Sequence, residues 1–342
     1  MTQSKVLAAK RLVHSVLLIF SLQLLPAVAE NGSVSSPFDR YPIHFTTVND
    51  TAIAYQDMGS ADAEPVLLIM GLGAQMLHWG DTLVQGLLDA GYRVVLLDNR
   101  DAGLSQKFYQ LSAPPVWWAL VRNKVGFNPE PPYSLNDMAA DAVGVLDALA
   151  IERAHVVGAS MGGMIAQVLA AEYPQRTTSL TSIMSSSGAP GLAESSPEAI
   201  EALASGARAG DSRSENIATR MAIARTIGSP EYFSEDYARQ LAVRVLNRGS
   251  YAPGVVRQFQ AILASGDRSS LLQRIEAPAL VIHGEEDPLL PLDHGRDTAE
   301  KIPGARFVAV PGMGHALEPV VSRRVLAQLV PFLQNRGQLA AE

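Results

Sequence analysis

A single serine between two glycines is the first feature of this chain that could carry chemistry. Residues 156–167 read VVGASMGGMIAQ, in which Gly158 to Gly162 form the pattern Gly-x-Ser-x-Gly around Ser160. The β-branched residues before it predict a buried strand, and the apolar spacing from Met161 predicts a helix packed on a sheet. A serine at so tight a corner is strained with its hydroxyl exposed, and the glycines avoid collisions with neighbouring elements. We interpret Ser160 as a candidate nucleophile, with an ordinary Gly/Ser loop as the alternative.

A serine hydroxyl is a weak nucleophile near neutral pH, so the chain must also supply a base and a group that orients it. Among the histidines, His315 is the best candidate for the base. It lies in the Gly-rich segment VPGMGHALEP, directly after the apolar run 305–310. A loop at the carboxyl end of a strand could bring its imidazole to Ser160. A loop histidine without a function is the alternative.

The third group should be a carboxylate at another strand end. Asp287 follows the apolar run 278–284 in VIHGEEDPLLP, and Pro288 stiffens the chain beyond it. Glu285 and Glu286 are adjacent and could be confused with it. The longer loop position and the fixed turn favour Asp287.

Apolar runs alternate with helical patterns along most of the chain. After two strands joined by the turn dipeptide Asn49-Asp50, which predict a hairpin, strand patterns occur at 65–70, 92–98, 155–158, 179–184, 278–284 and 305–310. Helical patterns separate most of these runs, which is typical of a parallel sheet covered on both faces. We therefore predict an α/β fold with a mostly parallel, eight-stranded sheet and helices on both faces.

One segment of different character interrupts this alternation. Residues 189–270 are rich in Ala, Ser, Arg and Glu and show helical periodicity without a convincing strand. Ligands bind at the carboxyl ends of the strands of an open parallel sheet, so an insertion after one of those ends would cover the site. We predict a helical lid at 189–270 between two parts of the core, 36–188 and 271–342. A packing excursion is the alternative.

The first 29 residues differ from the rest of the chain. Three basic residues precede the apolar run SVLLIFSLQLLPAVA, which ends in the small-x-small pattern Ala27-Val28-Ala29. The run is shorter than the roughly 20 residues that a spanning helix needs, and Pro26 interrupts it. We predict a signal peptide at 1–29 cleaved after Ala29, and an exported protein, periplasmic or secreted, without a stable membrane span once mature. A retained membrane anchor is the alternative.

Composition and motif content exclude other classes. The formal net charge is −7, and removal of the signal peptide would make the chain more acidic, so we expect no nucleic-acid partner. The chain has no cysteine, no His-Glu-x-x-His pattern and no Gly-x-Gly-x-x-Gly after a strand. We therefore predict neither a metal site nor a cofactor.

Along the chain the three candidates occur in the order Ser160, Asp287, His315, which is the nucleophile–acid–base order of the α/β-hydrolases. The chain resembles the serine-nucleophile branch of that superfamily through four segments: GASMGG at the corner, LDNRDAGLS at 97–105, HGEEDPLLP and GMGH. Within the branch it is similar to aclacinomycin methylesterase-like esterases and proline iminopeptidase-like proteins. The resemblance covers nearly everything from about residue 40 onward. It implies an α/β-hydrolase sheet with an inserted lid and a Ser-His-Asp triad.

An oxyanion hole needs two backbone N–H groups aimed at the charge that develops on the substrate oxygen. Met161, directly after the nucleophile, would supply one. The segment MGLGAQ after the strand 65–70 would supply the other, from Leu72. Many relatives have His-Gly where this chain has Met70-Gly71, which puts the contacts that support the loop in doubt.

Two tryptophans are candidates for the substrate pocket. Trp117 and Trp118 lie in the apolar segment PPVWWALVRNKVGF between a strand and a helix. They could line an acyl pocket or simply cover the core.

These features predict an exported serine hydrolase that cleaves small-molecule carboxylic esters through an acyl-enzyme. An aminopeptidase of the proline iminopeptidase type is the first alternative, although that group typically has His-Gly-Gly-Pro-Gly where this chain has MGLGAQ. A non-catalytic binding protein on the same fold is the second alternative. The complete set of triad residues argues against it.

Overall fold

The strand patterns form one sheet of eight strands. The computed structural model describes residues 35–113, 131–208, 210 and 212–335. The strands are β1 (Ile43–Val48), β2 (Thr51–Met58), β3 (Pro65–Ile69), β4 (Arg93–Leu97), β5 (Ala154–Ala159), β6 (Thr177–Ile183), β7 (Ala279–Gly284) and β8 (Arg306–Val310). Their order in the sheet is β1-β2-β4-β3-β5-β6-β7-β8, with β2 antiparallel to β1 and to β4 and all other pairs parallel. The predicted mostly parallel sheet and its leading hairpin are confirmed.

The burial of the strands follows from their position in the sheet. Every residue of β5 and of β7 is buried, because helices cover both faces of the central parallel strands. In the edge strand β1, the first three residues are exposed and the last three alternate between half-buried and exposed. Two of the three strands whose following loops carry the candidate site, β5 and β7, are therefore fully buried, whereas β8 lies at the other edge of the sheet and is only partly buried.

Eleven α-helices lie in the described residues. They are α1 (Pro37–Arg40), α2 (Gly80–Asp89), α3 (Leu135–Ala148), α4 (Met161–Glu172), α5 (Pro197–Gly206), α6 (Arg213–Ile227), α7 (Glu235–Arg248), α8 (Ala252–Ser265), α9 (Ser269–Leu272), α10 (Leu292–Lys301) and α11 (Pro319–Gln334). Two short 3₁₀ turns, Met76–Trp79 and Pro174–Arg176, complete the set. None of these helices is long and apolar enough to cross a membrane.

Apolar helix faces cover the sheet on both sides. Helices α3 and α4 contribute to one buried cluster with Leu146 and Ile165, and α2 and α11 contribute to the other with Leu87 and Leu329. Helix α3 begins where Ser134 accepts the N–H of Asp137 and the Asp137 side chain accepts the N–H of Ser134. This reciprocal cap satisfies two N–H groups that the first turn of a helix leaves unpaired.

Five helices, α5 to α9, lie between β6 and β7, and the described part of this insertion contains no strand. Its helices are tied to the loop that follows β4. Arg257 of α8 donates two hydrogen bonds to Asp101, at 2.8 and 2.9 Å, and both side chains are fully buried. Arg248 at the end of α7 donates to Asp98 at 2.8 Å. The boundaries of the lid at 189 and 270 stay a prediction.

We expect Asp101→Asn to lower the free energy of unfolding by about 3–5 kcal/mol, because it leaves the Arg257 guanidinium buried without its counter-ion. Urea denaturation monitored by circular dichroism measures the change. Arg225→Gln is the matched control, since it breaks an ion pair with Glu235 whose two side chains are 63% and 62% exposed. Such a pair contributes about 1 kcal/mol or less. Equal stability of the two variants would contradict this role of the Asp101–Arg257 pair.

Candidate active site

Ser160 lies at the corner between β5 and α4 with an unusual backbone conformation. Its φ is 56° and its ψ is −124°, a combination that residues other than glycine rarely adopt. A Cβ at Gly158 would overlap the carbonyl of Gly162, and a Cβ at Gly162 would overlap the carbonyl of Ile69 in the neighbouring strand. The steric reason that the sequence suggests for the two glycines is therefore present in the structure.

Ser160 and two of the predicted site residues form a continuous chain of hydrogen bonds. The Oγ atom of Ser160 lies 2.9 Å from Nε2 of His315, in the loop after β8. Nδ1 of His315 lies 2.7 Å from Oδ2 of Asp287, in the loop after β7. His315 and Asp287 are buried and Ser160 is half-buried. A nucleophile, a base and a carboxylate that orients the base need this connectivity.

The carboxylate of Asp287 is fixed on its other side by the backbone. Its Oδ1 accepts the N–H groups of Leu289 and Leu290, each at 2.9 Å. Burial raises the pKa of Asp287, but the nearby charge and hydrogen bonds of His315 and His283 outweigh burial, so its pKa lies below the usual carboxyl range. Asp287 therefore stays ionised near neutral pH and accepts hydrogen bonds only.

The neighbouring carboxylates point elsewhere. Glu285 and Glu286 are exposed, whereas Asp287 is buried. The loop of His315 is held in turn by the insertion, since the His315 N–H donates to the Ile227 carbonyl of α6 at 2.6 Å. Of the three carboxylates, Asp287 is the one that the loop geometry joins to His315.

The loop after β3 passes directly beside Ser160. A Cβ at Gly71 would lie 3.0 Å from the Cβ of Ser160. The Leu72 N–H has no hydrogen-bond partner within the described residues, and the Met161 N–H belongs to the first turn of α4, where no carbonyl of its own helix can accept it. Leu72 and Met161 also line the same cavity as Ser160. Both N–H groups are therefore available near the nucleophile.

Polar side chains from other segments support this loop. Asn99 donates to the Met70 carbonyl at 2.7 Å, and Gln258 of α8 accepts the Gly73 N–H at 2.7 Å. Gln258 also donates to the Arg100 carbonyl at 2.7 Å, and Asp98 accepts the Met76 N–H at 2.8 Å. The loop is thus fixed on both sides of Leu72 without a histidine at position 70.

Two adjoining cavities meet at this site. The larger, of about 330 Å³, is lined by Ser160 and His315 together with apolar side chains of the insertion, among them Phe259 and Ile262. The smaller cavity, of about 180 Å³, is lined by His315 and Phe233 among other residues. Trp117 and Trp118 lie outside the described residues.

No cluster of three or more His, Cys, Asp or Glu side chains suited to a metal ion occurs in the residues that the structure describes. Two charged residues of the loop after β4, Arg100 and Asp101, are each paired with an opposite charge. Arg100 donates to Asp141 at 2.6 and 2.7 Å, and Asp101 binds Arg257 as described above. Through these contacts and the bond from Asn99 to the Met70 carbonyl, Asn99, Arg100 and Asp101 brace the loops near the site.

Several residues that support the site were not identified from the sequence. Gln258 and Arg257 hold the loops after β3 and β4, and His283 lies 3.5 Å from Oδ2 of Asp287. Arg257 and Gln258 share the buried part of α8 with Ala261. The sequence signal that could have identified Arg257 and Gln258 is their position on the apolar side of a predicted helix. Polar residues at such positions are rarely buried without a partner.

A family model described as the alpha/beta hydrolase fold matches residues 64–317. This chain belongs to the α/β-hydrolase family, as the eight-stranded sheet and the corner at Ser160 already indicate. The sequence-based resemblance to this family and to aclacinomycin methylesterase-like esterases is confirmed.

Individual relatives agree with the family. Rhodomycin D methylesterase of Streptomyces peucetius is 27% identical over 308 residues, covering 84% of this chain and 97% of that protein. A 2-hydroxy-6-oxononadienedioate/2-hydroxy-6-oxononatrienedioate hydrolase of Cupriavidus pinatubonensis is 30% identical over 299 residues, covering 85% of this chain and 95% of that protein. Among solved structures, a bacterial membrane phospholipase A superimposes with a TM-score of 0.67 at 23% identity, covering 87% of each chain, which shows the shared fold. The chain is a hydrolase with relatives named as esterases.

His78 lies in the wall of both cavities, and its lowered pKa makes the free energy of unfolding of the protein depend on pH. Its Nδ1 lies 3.0 Å from the Gln75 backbone N–H. Burial lowers the pKa of His78 to about 4, and the Gln75 carbonyl, 3.0 Å from Nδ1 and able to accept a hydrogen bond from the protonated ring, offsets only part of that effect. In the unfolded chain the pKa of a histidine is about 6.5. Between about pH 4 and pH 6.5, His78 is protonated in the unfolded state but neutral in the folded state. The contribution of His78 to the free energy of unfolding is therefore fully present above about pH 6.5 and is lost as the pH falls toward 4.

We expect the free energy of unfolding of the wild type to fall more between pH 7 and pH 5 than that of His78→Gln, which keeps an acceptor but cannot titrate. Urea denaturation at the two pH values measures the difference. His44→Gln is the control, because His44 is exposed and outside the site. If His78→Gln loses as much stability as the wild type, His78 is not the group responsible.

Proposed function

We propose that this protein is an exported serine hydrolase that cleaves carboxylic esters through an acyl-enzyme. The single observation that carries the proposal is the hydrogen-bonded chain from Ser160 through His315 to Asp287. The relatives named as esterases and hydrolases support the same class of reaction. The available N–H groups of Leu72 and Met161 support it independently.

In the proposed reaction, Ser160 Oγ attacks the ester carbonyl carbon while Nε2 of His315 accepts the hydroxyl proton. The N–H groups of Leu72 and Met161 donate to the oxygen as it becomes negative. Asp287 stabilises the imidazolium of His315. Collapse of the tetrahedral intermediate breaks the bond to the alcohol, which leaves with the proton from His315. Water then attacks the acyl-enzyme by the same steps and releases the carboxylic acid.

The charges on the cavity walls favour an ester over an aminopeptidase substrate. An aminopeptidase needs a free carboxylate for the ammonium group of its substrate. Of the described residues that line the two cavities, Asp101 and Glu318 are the acidic ones. Arg257 neutralises Asp101, and Glu318 accepts the N–H and the hydroxyl of Ser229 at 2.8 and 3.0 Å. Neither carboxylate is free to bind a substrate amine.

Export belongs to the same proposal and rests on the basic residues, the apolar run and the Ala27-Val28-Ala29 pattern of the first 29 residues. We expect amino-terminal sequencing of protein recovered outside the cytoplasm to begin at or near Glu30. Ala29→Arg should block cleavage, because the position before the cut needs a small side chain. An intact Met1 on exported wild-type protein would contradict cleavage.

We expect Ser160→Ala and His315→Ala each to lower kcat for ester hydrolysis by about 10⁴-fold or more while leaving the fold intact, because the members of such a unit act together. Turnover of 4-nitrophenyl esters measures the loss, and circular dichroism checks the fold. A fluorophosphonate probe should label the wild type at Ser160. Labelling at another residue, or normal turnover by either variant, would contradict the assignment.

The choice of carboxylate is tested separately. Asp287→Asn should reduce kcat on the order of 10⁴-fold, because the amide no longer holds His315 in the required tautomer. Glu286→Gln is the matched control and should retain activity, since Glu286 is exposed. The reverse result would transfer the role to Glu286.

A further inference from the structure

Arg220 occupies an unusual place for a cation. It lies on α6, and the residues of that helix that line the smaller cavity are Arg220, Ile223, Ala224 and Ile227. These positions are spaced three and four residues apart, so they form one stripe along the helix. Apolar side chains fill the rest of the stripe. Arg220 therefore points to the same side of α6 as the residues that face the site.

Arg220 also stands where the two cavities meet. It lines the larger cavity together with Ser160 and Met161 and the smaller cavity together with His315. Among the described residues that line the two cavities, Arg220 is the sole arginine or lysine. It thus supplies the fixed positive charge that a substrate bound at Ser160 would meet.

The guanidinium of Arg220 has few partners. Its Nη2 donates to the Ser250 hydroxyl at 2.8 Å, and within the described part of the chain it makes no ion pair with a carboxylate. Arg268 is a useful contrast, because it is buried without an ion pair but donates to four acceptors, on Gln167, Ser186, Ser265 and Gly266. A guanidinium carries five N–H donors, so most of those on Arg220 are available to a ligand.

The neighbours of Arg220 do not offset its charge. Burial lowers the pKa of Arg220, as expected for a cation that lacks a nearby counter-ion. His78 beside it is neutral near pH 7, because burial lowers the pKa of His78 to about 4. Asp101 and Glu318 are already engaged by Arg257 and Ser229. A partly buried cation without a counter-ion costs stability in the free protein, and an anionic ligand removes that cost.

We propose that the substrate is an ester that carries a carboxylate besides the scissile bond, and that Arg220 binds this carboxylate. The inference rests on the proposed function, since it assigns the substrate class of the same site. Arg220 acts in binding and orients the substrate, whereas Ser160 and His315 carry out the bond exchange. The planar guanidinium can bind both carboxylate oxygens at once, which lysine cannot do.

Two pairs of esters test the proposal, and the members of each pair differ in charge but hardly in size. The first pair places the charge in the acyl part: mono-4-nitrophenyl glutarate and 4-nitrophenyl 4-carbamoylbutanoate. The second places it in the alcohol part: 4-(butanoyloxy)butanoate and 4-(butanoyloxy)butanamide. We expect wild-type kcat/KM to favour the carboxylate member of at least one pair by about 10- to 100-fold, the size of one charge-assisted hydrogen-bonded contact.

Arg220→Gln should abolish this preference within the pair, and Arg220→Lys should retain part of it. Arg225→Gln is the matched control, because it removes a charge from the same helix at an exposed position. The ratio within a pair does not depend on how much of a variant is folded.

The outcomes separate the two proposals. Hydrolysis of the amide members without a charge preference in either pair overturns the inference and leaves the proposed function intact. A preference that survives Arg220→Gln also overturns it. If the wild type hydrolyses none of the four esters, the proposed function fails and the inference falls with it.

Discussion

The backbone of Ser160, held at a φ of 56°, is the constraint on which the rest of the site depends. A non-glycine residue stays in this region only when the surrounding structure compensates for the strain. Here the Ser160 N–H donates to the Ile183 carbonyl of β6 at 2.9 Å, and Gly158 and Gly162 allow strand and helix to approach. The same corner starts α4 directly after the serine and so leaves the Met161 N–H beside the hydroxyl.

The parallel sheet brings the other groups to this corner. Strands β5, β7 and β8 run in the same direction, so the loops that carry Ser160, Asp287 and His315 leave the sheet at one edge. Ser160 and His315 are separated by 155 residues in sequence. The insertion between β6 and β7 adds a second set of supports at the same edge: Ile227 holds the His315 loop and Gln258 holds the loop of Leu72.

Local patterns predicted the sheet, because uninterrupted apolar runs and Gly-x-Ser-x-Gly have their structural causes within a few residues. The choice of Asp287 over its glutamate neighbours also depended on a local turn, and in the structure Asp287 lies 2.7 Å from Nδ1 of His315. Contacts between distant segments left no such pattern. Because this chain has Met70 where many relatives have histidine, the sequence left open what supports the loop of Leu72. In the structure Asn99 and Gln258 support that loop, and Gln258 reaches it only through the fold of the insertion. Arg220 was missed for the same reason.

The acyl-enzyme is the central claim, and trapping it is the most direct test. Wild-type protein mixed with an ester that it hydrolyses is quenched in acid before the steady state, and its intact mass and peptide map are measured. The account predicts a mass increase equal to the acyl group in place of one hydrogen, located at Ser160, which disappears when the ester is exhausted. Ester hydrolysis with no covalent adduct, or with the adduct on another residue, would contradict it.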